Sequence, residues 1–203
     1  MINVDKNNRT GKKGTMRCVV LLLMMTIIGT TAVCAQTNIT ALSQITDANG
    51  SYVITQDISG GTTGVATFSG TLTAQAKNDG TYPIISEISQ PLFTTATDAT
   101  ISNIMLKNIS ISGSGNIGAI CGTANGATRI YNCGILPTSA DATSTSSIGS
   151  TGGYCGSMVG LLDGTARVIN CFSYANITSG TVKAGIVGYN NFATIYTNII
   201  YTG

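Results

Sequence analysis

From Thr100 onward the chain alternates apolar and polar positions around a recurring asparagine. Four segments align: Thr100-Ile-Ser-Asn103-Ile-Met-Leu, Arg129-Ile-Tyr-Asn132-Cys-Gly-Ile, Arg167-Val-Ile-Asn170-Cys-Phe-Ser and Ile195-Tyr-Thr-Asn198-Ile-Ile-Tyr. The residues two before and one after the asparagine are apolar in every copy: Ile101 and Ile104, Ile130 and Cys133, Val168 and Cys171, Tyr196 and Ile199. The residue just before it is mixed: Ser102, Tyr131, Ile169 and Thr197. Period two on both sides of one residue predicts a short strand, a bend at Asn and a second short strand, with one face inward. Nothing in this region recurs at helical spacing.

The asparagines are separated by 29, 38 and 28 residues. The long interval holds the Ser/Thr/Gly-rich stretch 138–153, read here as a loop inserted into a repeat of about 28 residues. A second landmark keeps step. Ten residues before the later asparagines, the glycine-flanked apolar runs Gly118–Gly122, Gly156–Gly160 and Gly185–Gly188 read as strands that end at their last glycine; in the first copy Phe93 holds that place.

Several short strands per repeat without crossover helices predict an all-β fold, a right-handed parallel β-helix in which each turn buries its inward side chains by stacking on its neighbours. Asparagine suits the bend because it tolerates unusual φ and its amide satisfies backbone groups there. Stacked copies Asn103, Asn132, Asn170 and Asn198 are expected to form a structural ladder, each amide bond contributing on the order of 1 kcal/mol. A leucine-rich solenoid is the rival, but its Leu-x-x-Leu-x-Leu pattern is absent.

Gly156-Ser-Met-Val-Gly160 with Val168-Ile-Asn-Cys-Phe, and Gly185-Ile-Val-Gly188-Tyr-Asn190, resemble the GLUG-type repeats of bacterial surface proteins, within the pectin-lyase-like β-helix superfold. Tyr52–Ile58, Phe68–Leu72, Ile84-Ile85 and Leu92-Phe93 are similar to the opening turns of such modules. The resemblance covers residues 39 to 203 and implies a Bacteroidetes-like secreted surface protein.

The apolar run Cys18–Val33 follows Lys6, Arg9, Lys12, Lys13 and Arg17 and precedes Cys34-Ala35-Gln36, the pattern of a cleavable signal peptide at residues 1–35 with the cut after Ala35. A lipoprotein acylated at Cys34 ranks second, because Val33 is larger than the residue normally found there; a membrane anchor would need a longer run. Met16 is an alternative start. Residues 36–203 then form the β-helix module, with 36–50 as its leading cap. Without the leader, five basic residues face seven acidic ones, a balance of −2. The whole-chain pI of 8.2 therefore carries no nucleic-acid footprint, and no nucleic-acid partner is expected.

The chain has no His, which excludes Ser-His-Asp and Cys-His centres, imidazole bases and His-ligated metals. Charged residues make up only 9%. The acids Asp47, Asp57, Asp79, Glu87, Asp98, Asp141 and Asp163 are scattered, and no register stacks two as paired-carboxylate hydrolysis requires. Asp163 matches Asn125 and Asn191 and reads as a turn residue. No catalytic residue, metal or cofactor is expected. Arg129 and Arg167 share an outward register position beside Tyr131, so a stacked arginine pair with a tyrosine could bind a uronate or sulfate group. The other reading is two solvated arginines. Asn38, Asn108 and Asn176 match the glycosylation sequon, read as empty in a bacterium.

Cys133 and Cys171 share one inward position with parallel Cβ vectors about 4.8 Å apart, and Cys121 and Cys155 differ by four register places, so four buried reduced thiols are expected. Function is therefore expected to be that of a non-catalytic secreted or cell-surface module, binding an extracellular glycan or surface protein or acting as a stalk. The alternative is the N-terminal accessory part of a larger glycan-degrading enzyme with its catalytic domain beyond residue 203. The last repeat is expected to be incomplete, with Ile195, Tyr196, Ile199, Ile200 and Tyr201 at an edge that continues into more chain or packs on a partner.

Overall fold

Each apolar column identified above is lined up by a parallel sheet. The computed structural model describes residues 35–139, 145–196 and 198–200. The leader up to Cys34, Asp141, Thr197 and Tyr201 lie outside them, as do the side chains of Tyr196, Ile199 and Ile200. Residues 36–203 make one unit, which is all-β with parallel sheets and no closed barrel.

A seven-stranded sheet takes its strands in chain order: Thr37–Ile39, Ser51–Ile54, Thr71–Ala74, Thr100–Ser102, Arg129–Tyr131, Arg167–Ile169 and Thr194–Tyr196. A six-stranded sheet runs Ile58–Ser59, Ile84–Ser86, Met105–Lys107, Gly134–Ile135, Phe172–Ser173 and Ile199–Ile200. A five-stranded sheet runs Thr67–Phe68, Phe93–Thr97, Cys121–Asn125, Val159–Asp163 and Val187–Asn191. Two smaller sheets pair Ser110–Gly113, Ser147–Ser150 and Asn176–Ser179, and Tyr154–Gly156 with Val182–Ala184. In every sheet the next strand comes from the next repeat and is parallel to the last.

The columns are the core. Tyr52, Leu72, Ile101, Ile130, Val168 and Ile195 follow one another across the seven-stranded sheet, and the first five are 5% exposed or less. Alternation puts them inward, while Thr71, Thr100, Arg129 and Arg167 face out from the same strands. Burying each such side chain contributes roughly 1.5 to 3 kcal/mol. Phe68 and Phe93 stack inside at 4.4 Å. At the leading end, Ile39, Leu42 and Ile45 are 1% exposed or less, and a 3-10 turn at Leu42–Gln44 folds over the first strands. Gln44 Oε1 accepts from the Thr40 and Ala41 amides, and the Tyr52 hydroxyl accepts from Asp47 N at 2.9 Å, which satisfies the donors a covering turn would otherwise orphan.

Two local expectations are corrected. The glycine-flanked runs do not end strands; the strands begin at Cys121, Val159 and Val187 and pass through the glycine. There the two-stranded sheet crosses the five-stranded one backbone to backbone. A Cβ on Gly160 would stand 2.5 Å from Ile117 N, and one on Gly188 2.6 Å from Cys155 N. The glycines are required by close approach. Phe93 accordingly pairs with Cys121 rather than Gly122, because Asp98-Ala99 makes a turn one residue shorter than Gly126–Thr128. Secondly, 138–153 is not all loop: Ser147–Ser150 is the central strand of the three-stranded sheet, with Ile148 fully buried opposite Ile111 and Ile177.

Candidate functional surface

Arg129 and Arg167 are direct partners on adjacent strands and both side chains are exposed. Their backbones are fixed by the ladder, Arg129 N donating to Ala99 O and Arg167 N to Thr128 O, each at 2.8 Å. Tyr131 is two residues along the same strand, half-buried, opposite Ile169. Thr100 and Thr194 flank the pair in register on the neighbouring strands. Like charges directly opposite repel. Among the described residues the ion pair found is Lys77 with Asp57, at 2.8 Å, and it includes neither arginine.

Asn103, Asn132 and Asn170 adopt φ of 59°, 54° and 52°, and lie between the seven- and six-stranded sheets. Asn170 Nδ2 donates to Asn132 Oδ1 at 2.7 Å, and Asn132 Nδ2 to Asn103 Oδ1 at 3.4 Å. Asn103 Nδ2 reaches Thr73 Oγ1 at 3.4 Å. Asn198 departs from this pattern. Its Oδ1 accepts from Cys171 N at 2.7 Å and its Nδ2 donates to Val168 O at 3.1 Å, so it ties down the neighbouring backbone instead of the next amide.

The described acids are engaged in turns and loops. Asp57 accepts from Lys77 Nζ and Ile84 N, and the Lys77 contact, followed by the backbone amide, holds its carboxyl below the ordinary carboxylate range. Asp79 is lowered by the Thr81 hydroxyl and amide. Asp98 receives Ala127 N, Glu87 receives the Ser59 hydroxyl, and Asp163 receives Gly164 N and the Asn191 amide. No group of three or more His, Cys, Asp or Glu that could hold a metal occurs among the described residues. Cys121, Cys133, Cys155 and Cys171 are all free and buried, and burial pushes the Cys121, Cys133 and Cys155 thiols up. Thiolate chemistry is disfavoured at these three, whereas the contact with the Cys133 sulfur lowers the Cys171 thiol.

Sequence reasoning missed two features. Tyr154 and Tyr189 stack at 4.6 Å and 19° on adjacent repeats, beside the glycine crossing. Both follow a glycine, which is the signal that could have paired them. A cavity of about 290 Å³ opens between Thr62–Ala66 and Gln90–Leu92, lined by neutral side chains, with the Thr63 hydroxyl already donating to Leu92 O.

Comparison with known proteins redirects the functional reading. A family model described as the M26 IgA1-specific Metallo-endopeptidase N-terminal region matches residues 41–135. An immunoglobulin A1 protease of Streptococcus sanguinis is 46% identical over 54 residues, which is 27% of this chain and 3% of that protein. The chain thus spans about 3% of the length of the curated relative it matches. No solved structure matches. No GLUG or pectin-lyase-like family model matches, so the family resemblance read from the glycine runs is corrected to similarity with the M26 N-terminal region. The expectation of a glycan-binding module is overturned with it. The matched span includes Asn103, Arg129, Tyr131 and Asn132; Arg167, Asn170 and Asn198 lie beyond it.

Proposed function

We propose that this chain is an accessory N-terminal region of a larger protease polypeptide, exported through a leader cleaved after Ala35 and itself non-catalytic. The observation that carries the reading is the match of residues 41–135 to the N-terminal region of a metallo-endopeptidase family. The absence of His and the use of the described acids in turns support it. The enzyme in this reading is a protease, not the glycan-degrading enzyme the sequence suggested.

The fold in this proposal is a right-handed parallel β-helix. Support comes from sheets that each gain one parallel strand per repeat and from apolar columns that stay in register between repeats. Asn103, Asn132 and Asn170 act as its ladder. Arg129, Tyr131 and Arg167 are a contact point for a carboxylate-bearing stretch of polypeptide in the larger protein.

Expression of the chain and of the polypeptide read onward from its gene tests the proposal. The longer protein should cleave immunoglobulin A1 and this chain alone should leave it intact. Cleavage by the chain alone, or an onward reading with no peptidase domain, overturns it.

A further inference from the structure

Cys133 and Cys171 follow the bend asparagines of consecutive repeats and meet between them. Before the bend the strands pair Arg129 with Arg167, Ile130 with Val168 and Tyr131 with Ile169, and after it Gly134 with Phe172, so the two cysteines face each other in register. One residue before the pair the Asn170 amide donates to Asn132 Oδ1 at 2.7 Å, and one residue after it Phe172 N donates to Cys133 O at 3.1 Å. The rung is clamped on both sides. Both side chains point into the core, 0% and 1% exposed.

The two sulfurs occupy the same setting one repeat apart. Cys133 Sγ lies 3.3 Å from Tyr131 O and 3.9 Å from Ile101 O, and Cys171 Sγ lies 3.5 Å from Ile169 O and 3.9 Å from Ile130 O. They also hydrogen-bond to each other. Burial and then this contact push the Cys133 thiol up, while the contact lowers the Cys171 thiol against the opposing effect of burial. Cys133 therefore keeps its proton and Cys171 is the sulfur that loses one first. The other two cysteines have no such partner in register: Cys121 stands opposite Phe93 and Val159, and Cys155 opposite Lys183 and Ile117. Ile104, 0% exposed, holds the same place one repeat before Cys133, so packing of this column does not require sulfur.

Adjacent strands stand about 4.8 Å apart, inside the roughly 4.4 to 6.8 Å of Cα separation that a disulfide spans. Parallel Cβ atoms at that spacing exceed the preferred range of about 3.5 to 4.5 Å by a few tenths of an ångström. A bridge is thus within reach but strained, and strained disulfides are the readily reduced ones.

We infer that Cys133 and Cys171 are a reversible redox site, a buried dithiol that an organic disulfide converts into a cross-link between consecutive repeats. The Cys171 thiolate attacks one sulfur of the organic disulfide, bonds to it and expels the other half as a thiolate. That thiolate takes the Cys133 proton, and the Cys133 sulfur then attacks Cys171, closing the bridge and expelling the second thiolate, which takes up the proton that Cys171 released. The protein loses two electrons and the organic disulfide becomes two thiols. Because both sulfurs are buried, exchange proceeds through opening of the repeat. The bridge closes the 38-residue interval that contains the 138–153 insertion, and so restrains the longest repeat of the chain.

The test uses the full chain carrying Cys18→Ser and Cys34→Ser, so that the leader contributes no thiol. The folded protein, and the same protein refolded from urea, are held in glutathione buffers of rising oxidised fraction, alkylated after denaturation and mapped by peptide mass spectrometry. Two thiols should disappear together as a Cys133–Cys171 linked peptide, with Cys121 and Cys155 still alkylated. The melting temperature should rise by roughly 5 °C or more and fall back with dithiothreitol. Cys133→Val in the same background should abolish both the linked peptide and the shift. Four alkylated thiols at every glutathione ratio after refolding, a bridge that includes Cys121 or Cys155, or a glutathione adduct on Cys171 that Cys133 leaves unresolved would each overturn the inference.

Discussion

The two ends of the strand array are built from the same kind of repeat and differ in what lies over them. At the leading end, Ile39, Leu42 and Ile45 are 1% exposed or less because a strand and a 3-10 turn fold across the first repeat. At the other end Ile195 stands in an equivalent inward column and is 40% exposed. Inwardness in this architecture is therefore necessary for burial but not sufficient. A side chain is buried by the repeats on both sides of it, and stability is a sum of neighbour terms more than a property of one core.

The largest expected effect sharpens that contrast directly. Ile130→Ala, between two full neighbours, should cost about 2 to 5 kcal/mol by chemical denaturation, whereas Ile195→Ala should cost under about 1 kcal/mol. Equal losses would break the comparison. Next comes the glycine crossing. Gly160→Ala places a methyl against Ile117 N and should cost about 1 to 3 kcal/mol, while Gly152, with open space around its Cβ position, should tolerate alanine with little change in melting temperature.

These sites also show what was legible in the sequence. The column of Ile101, Ile130 and Val168 and the bend at Asn103, Asn132 and Asn170 rest on local rules, period two and tolerance of positive φ, so they could be read from spacing alone. The register of Arg129 with Arg167 followed from the same alignment. Gly122, Gly160 and Gly188 were misread as strand ends because a glycine demanded by another strand's backbone has no local signature different from one demanded by a turn. Ser147–Ser150 offers one apolar residue in four, too few for alternation, and its strand character comes from the flanking strands. The stack of Tyr154 on Tyr189 joins two different sheets across the 28-residue offset between the last two repeats, which can be placed only after the strands are known.

A smaller effect of opposite sign comes from backbone strain at Phe192, which sits at φ 64° and is 96% exposed. Phe192→Gly should stabilise the chain by about 1 kcal/mol, because glycine adopts positive φ without penalty. A loss of stability would mean that Phe192 packs within the chain. The smallest effect lies far from either end. Lys77→Ala should remove the contact that lowers the Asp57 carboxyl. A lowered folded-state value means that stability is present above the unfolded carboxylate value and lost as pH falls through the folded one. The variant should thus be less stable than the parent at neutral pH by a few tenths of a kcal/mol, screened by solvent, and the two should converge as the solution becomes more acidic than the folded carboxyl's value.

The central claim, that burial is conferred by neighbouring repeats and runs out at one end, is tested most directly by native-state hydrogen exchange on this chain at rising denaturant. The amides of Arg129–Tyr131 and Arg167–Ile169 should exchange only through the global opening, and those of Val187–Asn191 and Thr194–Tyr196 through a much cheaper local one. A single common opening free energy for all four strands would contradict the account.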